Sequence, residues 1–106
     1  MEEIIVVMVT VGTESQGIEI GRALVEERLA ACVNLVKGVR SLYMWEGRLN
    51  DDQETLMLIK TRGSIFPRLK DRVAQLHPYQ VPEIIALPVV EGSPSYLQWV
   101  AEVTAP

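Results

Sequence analysis

The sequence contains few of the residues that stabilise small extracellular domains or build metal clusters. Of its 106 residues, one is cysteine, one is histidine and 6% are aromatic. A single cysteine, Cys32, excludes an intrachain disulfide. With so few rings, the core must be built from valine, isoleucine, leucine and alanine. A chain of this length buries one modest core, so we expect a single domain over residues 1–106.

Basic charge and long apolar runs are also scarce. The chain has 10 lysine and arginine residues against 14 acidic ones, and its net charge of −4 disfavours binding to nucleic acid. The apolar stretch Ile4–Val11 is too short to cross a membrane, and no basic segment precedes it as in a signal peptide. We therefore expect a soluble cytoplasmic protein without a membrane or nucleic-acid partner.

The hydrophobic pattern predicts elements in the order β-α-β-β-α-β-α. Strands are expected at residues 4–11, 32–45, 54–61 and 83–90. The first and third are apolar on both faces, which is typical of central strands. The second is interrupted at Lys37-Gly38, where a bulge would fit, and the fourth contains Pro88, which cannot donate to a ladder. The second and fourth strands are therefore edge strands, as in the ferredoxin-like split βαβ sandwich of the α+β class.

Apolar residues at helical spacing predict three helices between and after these strands. Ser64 is expected to cap the second helix, and Ser93, followed by Pro94, the third. The predicted buried stripes, in chain order, are Ile18, Gly21, Leu24, Val25 and Leu29; Phe66, Leu69, Val73 and Leu76; and Tyr96, Trp99, Val100 and Val103.

Two features of this layout indicate self-association. Both main helices lie on one face of the predicted sheet, yet the strands carry apolar residues on both faces. A turn at Glu46-Gly47 also places Tyr43 and Trp45 near the tip of a long hairpin. We expect a homo-oligomer that packs its sheets face to face and covers these surfaces.

Five sequence blocks, in order and spacing, resemble the CutA divalent-cation tolerance family over essentially the whole chain. They are 28–34 (RLAACVN), 41–47 (SLYMWEG), Glu54 with Lys60-Thr61, 77–83 (HPYQVPE) and 96–99 (YLQW). The resemblance implies a ferredoxin-like subunit similar to the nitrogen-regulatory PII proteins, assembled as a homotrimer with its sheets facing inward. It also implies a link to tolerance of divalent cations, copper especially, and to copper binding.

His77 and Cys32 are the candidate metal ligands. Imidazole suits copper, and Pro78 and Pro82 would hold His77 in a rigid loop. A structural role at a helix C-terminus is the alternative for His77. The family's LAAC block carries over to Cys32, whose thiolate would suit Cu(I); a role as a buried core residue is the alternative. We expect copper (Cu²⁺), or another divalent cation, as the ligand, and no organic cofactor.

A polar cleft between subunits is a second candidate site. Charged residues near the ends of apolar strands are costly unless paired, so ion pairs or a bound ligand are expected there. The similarity to PII-like trimers implies a small anionic ligand in such a cleft. The candidate lining residues are Tyr43, Trp45, Glu54, Lys60, Tyr79 and Glu83.

An enzymatic role would need a nucleophile such as Cys32 with His77 as its base. The sequence has no glycine-rich or nucleophile-elbow motif to supply an oxyanion site, so we expect no enzymatic activity. The expected function is that of a non-enzymatic cytoplasmic homotrimer that binds copper and acts in metal tolerance. The alternative is a PII-like signalling module whose cleft binds a small anion.

Overall fold

The computed structural model describes residues 3–106, so residues 1 and 2 of the predicted domain lie outside the described part. Its strands are β1 (Ile4–Val11), β2 (Cys32–Trp45), β3 (Arg48–Arg62) and β4 (Ile84–Pro88). Its helices are α1 (Glu14–Glu26), α2 (Phe66–Leu76) and α3 (Pro94–Val103), and a 3-10 turn at Gly63–Ile65 leads into α2. The predicted order of elements is confirmed.

The strands form an antiparallel sheet in the order β2-β3-β1-β4. The two strands that are apolar on both faces are central, as predicted, because both faces of a central strand can be covered. The pairing of β2 with β3 shifts register between Val36 and Val39, which is the predicted bulge. Pro88 ends the edge strand β4. This arrangement confirms the ferredoxin-like α+β fold.

Helices α1 and α2 cover one face of the sheet, which we call the helix face. Alternate residues of a strand point to opposite faces, and the odd-numbered residues of β1 point towards the helices. Gly17 and Gly21 let α1 approach β2 closely, since a Cβ atom on Gly17 would lie 3.1 Å from Leu35. The main buried residues of this core are Ile5, Val7, Val9, Val11, Ile20, Leu24, Met57, Ile59, Leu69 and Val73.

Helix α3 packs on the opposite face of the sheet, which we call the open face, and covers only one end of it. Val100 forms a second buried cluster there with Ile4 and Ala31. The Nε of Arg28 donates to the carbonyl of Val103 at 3.2 Å, which attaches the end of α3 to the turn after α1. Farther along, the open face stays exposed within one chain, with apolar residues Val36, Ile85 and Leu87 each more than 40% accessible.

Strands β2 and β3 continue beyond the helices as a hairpin. Glu46 and Gly47 both have positive φ, 51° and 77°, the combination that a two-residue type I′ turn requires. The predicted turn is therefore confirmed. The hairpin makes the molecule elongated, with extents of 44 × 25 × 22 Å.

Two strands, β3 and β4, have boundaries that differ from the prediction. Strand β3 begins at Arg48 rather than at residue 54, because it pairs with β2 up to the turn, with Tyr43 opposite Asn50. Residues 50–53 are polar, so the outer half of the strand lacks the apolar alternation that predicts a strand. This half is exposed and needs no such alternation. Strand β4 ends at Pro88, two residues earlier than predicted, because its partner β1 begins at Ile4, whose carbonyl accepts the last backbone bond from the N–H of Val89 at 3.0 Å.

The helices also differ in detail. The buried face of α1 contains Ile20 and Leu24, whereas Ile18 and Val25 are exposed, and Leu29 follows the helix end. The 3-10 turn contains Ser64, so Ile65 occupies the N-cap of α2. In α3, Ser93 and Pro94 take the predicted positions, while Tyr96 and Trp99 are exposed within one chain. Nowhere in residues 3–106 is a helix long and apolar enough to cross a membrane.

Candidate functional site

A cleft of about 700 Å³ lies at the end of the open face that is farthest from α3. One wall is the base of the hairpin, and the other is the segment 79–83 that connects α2 to β4. We call it the acidic cleft. Its lining residues are Thr10, Ser41, Leu42, Tyr43, Trp45, Asp52, Glu54, Tyr79, Gln80, Val81 and Glu83.

Two phenols orient the carboxylates of the acidic cleft. Tyr43 donates to Oδ2 of Asp52 at 2.5 Å, and Tyr79 donates to Oε2 of Glu54 at 2.9 Å. Asp52 and Glu54 lie two residues apart on β3, so their side chains share the open face and their Cα atoms are about 6.8 Å apart. The second bond crosses from β3 to the connecting segment and therefore ties the two walls together.

The charge of the acidic cleft is negative. Asp52, Glu54 and Glu83 line it, and within the described chain no lysine, arginine or histidine side chain does so. Burial raises the pKa of Tyr79 to about 12, with a further contribution from its bond to Glu54. The pKa of Tyr43 is also raised, chiefly by its bond to Asp52. Both phenols are therefore neutral hydrogen-bond donors at physiological pH.

His77 lies directly behind this site and supports its wall. Its Nε2 is 2.7 Å from the carbonyl oxygen of Thr10, which can only accept, so Nε2 carries the ring proton. Its Nδ1 accepts from the backbone N–H of Tyr79 at 3.1 Å, and the two rings are 4.6 Å apart. The side chain is buried, with 7% of its surface exposed. One ring nitrogen thus bonds to Thr10 and the other to Tyr79, so neither is free.

Cys32 lies elsewhere on the open face. It pairs with Lys60 across β2 and β3, next to the end that α3 covers, and its Sγ donates to Oδ1 of Asn34 at 3.6 Å. Lys60 faces Val6 of β1, four residues before Thr10, which corresponds to about 14 Å along the strand. The fold therefore does not bring Cys32 and His77 together.

A copper ion ligated directly by three or more side chains does not fit the geometry of one chain. Within residues 3–106, no three histidine, cysteine, aspartate or glutamate side chains lie close enough together to hold a metal ion. His77 would also have to release either Thr10 or Tyr79 before a ring nitrogen could bind a metal.

Five of the six predicted cleft residues meet in the acidic cleft, and Lys60 does not. Lys60 is six residues from Glu54 on β3, about 20 Å away, and donates to Oδ1 of Asn34. Sequence reasoning missed Asp52, Ser41 and Thr10. Asp52 lies two residues before Glu54, so the two side chains share one face of the strand. This signal becomes informative only once β3 is known to begin at Arg48.

The fold and this cleft define a class: a small ferredoxin-like α+β protein with an acidic concave site beside an exposed apolar sheet face. The family model "CutA1 divalent ion tolerance protein" matches residues 5–103. The chain therefore belongs to the CutA1 divalent ion tolerance family, as its sequence blocks predicted.

Individual relatives agree with this assignment. The Divalent-cation tolerance protein CutA of Thermus thermophilus is 56% identical over 104 residues, covering 98% of this chain and 99% of the relative. A solved structure of the Thermus protein has a TM-score of 0.93 at 55% identity and covers 99% of this chain and 100% of its own. CutA1 from Oryza sativa has a TM-score of 0.95 at 43% identity, over 98% and 95% of the two chains.

Some relatives are longer proteins. The human Protein CutA is 53% identical over 96 residues, and the match covers 91% of this chain. The chain spans 54% of that relative's length.

Proposed function

We propose that this protein acts in divalent-cation tolerance, without catalysis, by binding divalent cations, copper(II) among them, in the acidic cleft. The observation that carries this proposal is the convergence of Asp52, Glu54 and Glu83 on a cavity whose described lining lacks a basic side chain. Membership of a divalent ion tolerance family supports the same direction.

The spacing of the carboxylates favours a hydrated ion. Because the described chain lacks a compact group of three ligands, a divalent ion would keep much of its water shell and be held through water by the carboxylates. Such binding is weak and exchangeable. His77 then has a supporting role through Thr10 and Tyr79, and Cys32 takes no part.

Assembly into a homotrimer belongs to the same proposal. The exposed apolar residues of the open face, among them Val36, Ile85 and Leu87, favour burial against further copies of the chain. A cytoplasmic location is proposed because a single free cysteine suits a reducing compartment.

The alternative, a PII-like module that binds a small anion, is less favoured by the charges. The acidic cleft of one chain repels an anion, and Lys60, the expected anion ligand, lies at the other end of the sheet face. An anion site would need basic residues from a neighbouring subunit.

The test is calorimetric titration of Cu²⁺ into metal-free protein, with the oligomeric mass followed by light scattering. Glu54→Gln should weaken binding by about tenfold, because it removes one charge from the cleft. Asp51→Asn is the matched control, since Asp51 is on the same strand but points to the other face and pairs with Arg40. Its affinity should stay near that of the wild type.

His77→Ala separates the two possible roles of the histidine. We expect the variant to retain saturable copper binding, because both ring nitrogens of His77 in the wild type are bonded to other residues and are not free to act as ligands. If His77→Ala abolishes binding while Glu54→Gln leaves it intact, the cleft proposal is overturned and His77 is the copper ligand. A monomeric mass for the wild type would overturn the proposed trimer.

A further inference from the structure

The acidic cleft has features that a metal ion alone does not explain. We propose that it binds an organic diammonium ion, a short chain with a positive charge at each end. This inference rests on the proposed function in that both require a cation in the cleft, but it names a different ligand class.

The size of the cleft is the first argument. A cavity of about 700 Å³ lies within the ordinary range of small-molecule sites, and it greatly exceeds the volume of one metal ion. The acidic side chains that line it are not gathered around a point, since no metal-binding group of three exists among residues 3–106. Separated negative charges in a large cavity match separated positive charges on one ligand.

The second argument is the state of the two strand carboxylates. Glu54 is buried, with 7% of its surface exposed, yet only its Oε2 has a hydrogen-bond partner within residues 3–106. Its Oε1 is left to the cleft. Asp52 is bonded in the same way, through Oδ2 to Tyr43, and Oδ1 remains without a partner in the described chain. Both oxygens are open to the cleft and not buried without a partner, so an ammonium group can reach them with its three donors.

The spacing of Asp52 and Glu54 along β3 indicates the length of the ligand. Asp52 and Glu54 are i and i+2 on one face of β3, with Cα atoms about 6.8 Å apart. The ammonium groups of an extended four-carbon diamine are separated by a similar distance. Glu83, on the opposite wall, adds a third negative charge to the same cavity.

The third argument is the aromatic lining. Tyr43, Trp45 and Tyr79 give the cleft three rings against which methylene groups can pack and ammonium groups can make cation–π contacts. The wall that carries Tyr79 is held in place by His77 and by Glu54 before any ligand arrives. A preorganised wall lowers the entropic cost of binding.

The experiment is calorimetric titration of 1,4-diaminobutane into metal-free wild-type protein at low, constant ionic strength. We expect saturable binding at one diamine per chain. Butylamine, which has the same length but one charge, should bind at least about tenfold more weakly, since one ion pair is lost. Equal affinities for the two amines would overturn the proposal, because the spacing of the carboxylates would then not be recognised.

Variants locate the site. Asp52→Asn combined with Glu54→Gln should weaken diamine binding by more than about tenfold, and Asp51→Asn should leave it unchanged within about twofold. Circular dichroism checks that each variant is folded, and Glu83→Gln, at an exposed position, provides a second test should the double variant unfold. An equal loss in Asp51→Asn would overturn the proposal by showing attraction to acidic surface in general.

The copper titration distinguishes the diammonium hypothesis from the proposed metal-binding function. If copper binds in a manner that depends on Glu54 and diamine does not bind, the diammonium inference fails and the proposed function stands. If diamine binds and copper does not, the metal role fails and the cleft is a site for organic cations. Absence of both kinds of binding would refute both.

Discussion

The two ends of the open face are built from the same four strands but have opposite character. At one end, α3 buries Ile4 and Val100, and Arg28 and Arg62 are bonded to residues 103 and 104 of the segment that ends α3. At the other end no helix of the described chain covers the sheet, and the carboxylates of the acidic cleft face solvent. We call these the sealed end and the cleft end.

This difference separates stability from ligand binding. At the sealed end the basic side chains are occupied by backbone and hydroxyl oxygens, which leaves little capacity for a ligand. At the cleft end the acidic side chains are held only by phenols, so part of their hydrogen-bonding capacity is left for a cation. The neighbouring residues Cys32 and Lys60 fall at the sealed end, which is why they do not contribute to the cleft.

The largest predicted effect comes from a substitution that leaves a cavity at the sealed end. Ile4→Ala should lower the free energy of unfolding by about 3 kcal/mol, because it removes a buried side chain and leaves a cavity against α3. Chemical denaturation measures it. Val90→Ala, at a residue that is 91% exposed, should change the same quantity by less than about 0.5 kcal/mol. A small loss for Ile4→Ala would mean that α3 does not seal this end.

At the cleft end we predict a stability loss at alkaline pH. The folded protein raises the pKa of Tyr79 from 10.0 to about 12. A group with a raised folded pKa contributes stability below its unfolded pKa and loses it as the pH rises through the folded one. Unfolding midpoints should therefore fall between pH 10 and pH 12, and fall less in Tyr79→Phe. Identical pH profiles for the two proteins would show that folding does not raise the pKa of Tyr79.

The smallest effect is expected from removing a charge at the sealed end. Lys60→Ala should change cation affinity at the acidic cleft by less than about twofold, since about 20 Å of partly solvated sheet separates the two and salt screens over about 8 Å. The titration of copper or 1,4-diaminobutane used above measures it. A tenfold change in cation affinity would show that the two ends act as one binding site.

Much of the fold was predictable because its signals are local. Unbroken apolar runs identified β1 and the inner half of β3 as central, Pro88 marked an edge, and Glu46-Gly47 marked the hairpin turn. The outer half of β3 was missed because residues 50–53 are polar and the hairpin has no apolar core of its own. The inclusion of Ile18 and Val25 in the stripe of α1 was wrong, since helical spacing alone does not say which flank of an apolar stripe meets the sheet.

The sequence predicted which residues line the candidate site better than it predicted the charge of that site. Tyr43, Trp45, Glu54, Tyr79 and Glu83 were named from sequence blocks, and they do meet. The similarity to PII-like trimers implied an anion, whereas Asp52, Glu54 and Glu83 make the cleft acidic. Charge in a cleft is the sum over residues from distant segments, so one residue wrongly included and one missed alter the ligand class that is expected.

The sequence by itself determined the order of the secondary-structure elements, the central and edge strands and the family, because periodicity, turn residues and ordered blocks are properties of neighbours along the chain. Only the tertiary structure decided that α3 covers one end of the open face, that His77 uses both ring nitrogens on Thr10 and Tyr79, and that Cys32 lies far from it. These outcomes depend on strand register and on packing between distant segments, such as the contact of His77 with Thr10, 67 residues earlier. Such contacts form through space, and no local pattern encodes them.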